Sequence, residues 1–118
     1  MAVLQSLQIQ YAIGIIMSNL QIQVNQVINE INDITELLYQ QKAKEGYALL
    51  NNTIGKIMNI IDSIYQLRIE REILFDDNRM INNLKTAMEA MEKKDNVMLA
   101  DILSYEIAEQ LKESIELF

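Results

Sequence analysis

The sequence predicts an all-α protein, an antiparallel bundle of about four helices built from a long hairpin and two shorter helices. Three observations carry that reading. From Met17 to Leu38 the apolar residues Met17, Leu20, Val24, Val27, Ile31, Ile34 and Leu38 alternate by threes and fours, which keeps one side chain per turn on a single helical stripe. Proline is absent and glycine occurs only at 14, 46 and 55, which suits long helices and leaves few residues for the turns of a β fold. The polar breaks between apolar stripes are short and rich in capping residues, so consecutive helices should lie side by side and antiparallel.

Residues 1–17 form an uncharged first segment, and residues 18–118 the bundle domain proper. In the first segment Leu7, Ile9, Tyr11, Ile13 and Ile15 alternate with Gln8, Gln10, Ala12 and Gly14, which is a strand period. Leu4, Leu7 and Tyr11 also share a helical face, and the helical context favours helix. A surface this apolar and free of charge is poorly suited to open water, so Leu7, Ile9, Tyr11, Ile13 and Ile15 are candidate contacts with a second subunit. Met17 would serve equally well as a first residue.

Ser18 and Gln21 have the spacing of a capping box, and Met17 and Ile22 that of a hydrophobic staple. A helix is therefore predicted to start at Ser18 after a break and to run to about Lys44, where Lys42 and Lys44 suit the negative end of the helix dipole. Gly46 is the natural left-handed turn residue. The second helix is predicted from Tyr47 to Phe75 on the stripe Tyr47, Leu50, Ile54, Ile57, Ile61 and Ile64, with Arg68 leaving the seam or snorkelling at its edge. Gly55 inside it suggests a close helix–helix approach. Asp76, Asp77 and Asn78 are N-cap residues for a third helix from about Arg79 to Lys93 and Lys94, with Ile81, Leu84, Met88 and Met91 on one face. Asp95 caps a fourth, which carries Leu99, Leu103, Ile107, Leu111 and Ile115.

Composition narrows the function. The formal net charge of −7 argues against binding the nucleic-acid backbone or an anionic membrane surface. There is no Cys and no His, which removes thiolate and imidazole ligands and the commonest general base. Ser6, Ser18, Ser63, Ser104 and Ser114 have no histidine to activate them, and Asp101, Glu106 and Glu109 have no neighbour that would tune a carboxylate pair. No cofactor, metal site or enzymatic activity is expected. The first apolar stretch lacks a basic n-region and is too short for a membrane span, so the cytoplasm is the expected location. Four of the seven methionines lie between 80 and 98. Core packing explains them most simply, while Met80, Met88, Met91 and Met98 would also make an adaptable groove for a partner helix.

The stretch NNLKTAMEAMEKKDNVMLADILSYEIAEQLKESI resembles the C-terminal part of a small, all-helical, uncharacterised family of Gram-positive bacterial proteins. The likeness rests on Asp95, Leu99, Ala100, Asp101, Tyr105 and Glu106 and covers the last third of the chain. It implies a helical bundle and carries no assigned activity. NNTIGKIMNIIDSIYQL followed by AMEKKDNVMLADIL is more loosely similar to flagellar export chaperones, which are also small, acidic helical bundles. The chaperones' tyrosine-bearing N-terminus has no counterpart here, so no functional residue is carried across. The expected function is a non-enzymatic, self-associating protein-interaction bundle, a homodimer in the cytoplasm, binding neither nucleic acid nor membrane. The alternative is an export chaperone or adaptor that holds a partner helix in the methionine-rich groove.

Overall fold

A continuous 38-residue helix, α1 (Ala2–Tyr39), is the spine of the molecule. The computed structural model describes residues 2–70 and 72–118; Met1, Arg71 and the side chains of Ala2 and Leu4 lie outside the described residues. α1 is followed by α2 (Ala43–Glu70), α3 (Asp77–Glu92), and a last rod made of α4 (Asn96–Asp101), a π-helical segment (Ile102–Ile107) and α5 (Ala108–Ile115). The four rods run up, down, up and down. Lys56 Nζ meets Glu30 Oε1 at 2.7 Å between α1 and α2, and Arg79 meets Glu113 at 2.8 Å between α3 and α5, which fixes both antiparallel pairs.

The core takes in the predicted stripe of α1, whereas Tyr47 and Ile54 of the predicted α2 stripe are half-buried and, on the predicted α3 face, Ile81 and Met88 are exposed and Leu84 and Met91 half-buried. Leu20, Val24, Val27, Ile31, Ile34 and Leu38 of α1 are buried against Leu50, Ile57, Ile60, Ile61, Ile64 and Leu67 of α2. Leu99, Leu103, Ile107 and Leu111 close the core from the fourth rod. Met80, Ala87 and Ala90 are the only buried apolar residues that α3 contributes, so this shorter helix is held by a narrow strip.

Several boundaries differ from expectation. No break separates residues 1–17 from the bundle, because α1 runs straight through Ser18. Gln, Leu, Ile and Ala are acceptable or good helix formers, and the one weak position, Gly14, costs only about 1 kcal/mol against alanine. α1 also ends before Lys44. Lys42 N–H donates to Leu37 O at 2.8 Å and Gln41 N–H to Leu38 O at 3.1 Å, a Schellman ending with Gln41 in the left-handed region at φ 63°. The same ending closes α3, where Lys94 has φ 54° and Asp95 N–H reaches Ala90 O at 2.9 Å. Gly46 is therefore no turn residue. It sits buried in the first turn of α2, where an added Cβ would lie 3.1 Å from Leu38 Cδ2. Close approach of α1 to α2 is what requires glycine there. Gly55, by contrast, borders open space and marks no close approach.

The second helix stops at Glu70, short of Phe75. Residues 72–76 form a connection pegged to the core by Ile73 and Phe75, while Leu74 between them points outward. Arg68 holds this connection in place. Its guanidinium forms a fork with Asp77 at 2.6 and 2.9 Å, donates to Phe75 O at 2.7 Å, and lies over the Tyr65 ring at 5.4 Å. Gln110, which is buried, adds a bond from Nε2 to Asp76 O at 2.8 Å. Asp76 and Asp95 cap α3 and α4 as expected, accepting from Arg79 N–H at 3.0 Å and Met98 N–H at 3.1 Å.

The π-helical segment explains an oddity of the last stripe. Leu99, Leu103, Ile107, Leu111 and Ile115 are spaced by four throughout, which in a pure α-helix of 3.6 residues per turn would drift off one face. Ala108 N–H bonds to Leu103 O, five residues back, so each turn there holds more residues and the drift is absorbed.

Candidate functional site

Two apolar surfaces stand out. The first is the N-terminal part of α1. The register set by Lys56 and Glu30 places Glu70, the end of α2, level with Ile16. The residues before that project beyond α2 by roughly 20 Å at 1.5 Å per residue, within a molecule 59 Å long and 23 by 19 Å across. This extension is apolar on two opposite sides. Ile9, Ile13 and Ile16 prolong the stripe that becomes Leu20, Val24 and Val27, and Ile13 and Met17 still pack against the core. On the far side Val3, Leu7, Tyr11 and Ile15 continue to Ile22, with Gly14 and Ser18 between them. These far-side residues are among the most exposed large apolar groups of the protein, Tyr11 at 74%, Val3 at 72% and both Leu7 and Ile22 at 57%. The structure thus divides the five candidate subunit contacts. Leu7, Tyr11 and Ile15 share the outer face, whereas Ile9 and Ile13 belong to the inner one. Ile22, which continues the outer face, was legible only as part of a staple.

No charged residue occurs before Glu30, so this helix is uncharged over its first seven turns while the rest of the chain carries the whole −7. At the nearby end of the body Ile69 and Leu74 are exposed where α2 stops, interleaved with the charged Glu70 and Glu72.

The second surface is a cleft between α2 and α3. It has a volume of about 250 Å³ and is lined by Leu50, Ile54, Ile57 and Met58 on one wall and by Ile81, Leu84, Met88 and Met91 on the other. Leu103 lies at its floor and Lys85 supplies its one charged group. Of the four methionines predicted to form a groove, Met88 and Met91 do so. Met80 is fully buried in the core, because it falls on the narrow inner strip of α3 beside Ala87. Met98, in the first turn of α4, contributes nothing to the lining. Met58 on the opposite wall takes part instead, a role visible only once α2 and α3 are paired.

Polar groups elsewhere are engaged in holding helices together. Tyr39 donates to Asp101 and Tyr47 to Asn96, tying the turn between α1 and α2 to α4. The bond to Asp101 raises the Tyr39 pKa above the usual phenol value, with burial and the Asp101 charge adding to it. The Arg68 and Arg79 guanidinium groups are likewise held more firmly protonated, chiefly by their bonds to Asp77 and Glu113. Lys56 is paired with Glu30. Among the described residues there is no group of three or more acidic side chains placed to hold a metal ion, and no helix long and apolar enough to cross a membrane.

Neither a curated protein nor a solved structure matches the chain. A family model does, over residues 15–117, and by that match the chain belongs to the family described as Domain of unknown function (DUF8042).

Proposed function

We propose that this protein is a non-enzymatic interaction module that associates with a second copy of itself through the N-terminal part of α1. The observation that carries the reading is the extension: a charge-free helix, apolar on both faces, running past the end of its own body. Large apolar side chains exposed in a continuous patch mark an interaction surface. A second copy suits it, because two chains of net charge −7 meet with least repulsion where neither carries charge.

Light scattering tests this directly. The natural chain should give twice its 13.7 kDa mass, and the Leu7→Asp/Tyr11→Asp variant should give a monomer with unchanged helicity. A natural chain that stays monomeric at every accessible concentration would refute the proposal.

A second reading is favoured by the cleft between α2 and α3. An adaptor could hold there an amphipathic helix with aliphatic side chains facing the methionines and a carboxylate facing Lys85. Met88→Asp should abolish such binding while leaving self-association intact.

A further inference from the structure

Self-association through α1 leaves open how two identical helices fit, and the outer face of α1 carries its own answer. Resting on the reading above, we propose that this face is the seam of an antiparallel, two-fold symmetric dimer in which Tyr11 of each copy seats in the hollow over Gly14 of the other.

The argument begins with Gly14. It lies in mid-helix, where glycine is unfavourable by about 1 kcal/mol against alanine. Nothing within its own chain requires it, since a Cβ there would meet no atom within 4 Å. Gly46 shows what an intramolecular requirement looks like, with Leu38 pressed against the missing Cβ. At Gly14 the surface is instead a shallow hollow bordered by Gln10, Tyr11, Ile15, Ser18 and Asn19.

Large and small residues then match across a two-fold axis. With one α1 laid antiparallel on the other, a single register sets Tyr11 opposite Gly14, Leu7 opposite Ser18 and Val3 opposite Ile22. Symmetry repeats all three pairs, so every contact is made twice. Tyr11 and Leu7 meet the two smallest outward residues, Val3 meets Ile22 with both sides aliphatic, and Ile15 falls opposite Gln10 at the edge of the seam. This is the alternation of large and small groups that lets facing helices interdigitate. The register also needs no ion pair, which fits a helix with no charge before Glu30.

The absence of cysteine makes the register measurable. Leu7→Cys and Ser18→Cys chains, mixed in equal amounts and mildly oxidised, should give a disulfide-linked pair containing one of each. Leu7→Cys alone should link at least tenfold less. Gly14→Leu, which fills the hollow, should weaken association at least tenfold without lowering the thermal stability of the monomer, because the site is open and leucine is the better helix former. Raising the salt concentration should strengthen association of the natural chain, because it screens the charged bodies and leaves the seam untouched. Efficient linkage of Leu7→Cys to itself with none to Ser18→Cys would show a different seam and overturn the proposal. So would a dimer that Gly14→Leu leaves unchanged. In either of those cases self-association itself would stand. A natural chain with no dimer at any concentration would remove both.

Discussion

Leu99 and Leu103 stand one turn apart on the fourth rod and are equally buried, yet their truncation should have unequal effects. Leu99 lies in the closed part of the core, whereas Leu103 lies at the floor of the cleft between α2 and α3. Removing a leucine side chain beyond Cβ costs about 2–5 kcal/mol, and the spread depends on how far the surroundings collapse into the space. Around Leu103 the half-exposed Met58 and Met88 are flexible and free to move inward. Leu103→Ala should therefore fall near the low end, about 2.5 kcal/mol, and Leu99→Ala nearer 4 kcal/mol. With an unfolding entropy of about 2.1 cal/mol/K per residue, a chain of 118 residues loses roughly 4 °C in Tm per kcal/mol. The expected losses are then about 10 °C and about 16 °C. Thermal unfolding followed by circular dichroism at one fixed protein concentration measures both. A Leu103→Ala variant as destabilised as Leu99→Ala would show that the cleft walls are rigid, and the reasoning from an open, yielding cleft would fail.

Other outcomes follow from particular contacts. Gln41→Gly and Lys94→Gly should each stabilise the fold, by up to about 1 kcal/mol, since both positions hold a left-handed backbone that glycine adopts without strain; a loss of stability in denaturant titrations would contradict the Schellman endings. Gly46→Val should destabilise by about 1–3 kcal/mol through its clash with Leu38, while Gly55→Ala should gain up to about 1 kcal/mol. Arg68→Lys should cost about 1–2 kcal/mol, because an ammonium reproduces neither the fork on Asp77 nor the bond to Phe75 O; an unchanged urea midpoint would show the clamp to be idle. Tyr39 should ionise above the usual phenol range, as its folded-state pKa is raised by its bond to Asp101. The stabilisation from that bond is present at neutral pH and is lost as pH climbs through the raised value, above the ordinary phenol value of 10.0. Phenolate absorbance should lose that raised component in Asp101→Asn; no change in that variant would refute the assignment.

The sequence was most readable where one physical rule acted alone. The three-four stripe from Leu20 to Leu38 is buried along its whole length, and Asp76 and Asp95 cap the helices they precede. It misled where two rules competed. The capping pattern at Ser18 is a local preference, and uninterrupted helix formation on both sides overrode it. Gly46 looked like a turn residue because glycine favours left-handed conformations, yet Gln41 takes that conformation and Gly46 answers to the crowding of Leu38. The fours from Leu99 to Ile115 predict one uninterrupted ordinary helix, and the π-helical segment Ile102–Ile107 that accommodates them was not anticipated.

The interaction surfaces were half legible for a related reason. Leu7, Tyr11 and Ile15 belong together on one helical face, but the alternation that drew attention to them also gathered Ile9 and Ile13, which face the other way. A period of two and a period near four overlap in so short a stretch. The methionine cluster pointed to the cleft through Met88 and Met91. Which methionines enter the core depends on how α3 is rotated against its neighbours, and that is a tertiary property.

Amide hydrogen exchange over residues 3–16, measured at several protein concentrations, tests the central claim most directly. If a second copy covers the extension, protection there should rise with concentration and approach that of the helix from Leu20 to Leu38. Fast exchange that stays the same at every concentration would mean that the extension has no such partner, and the proposed function would fall with it.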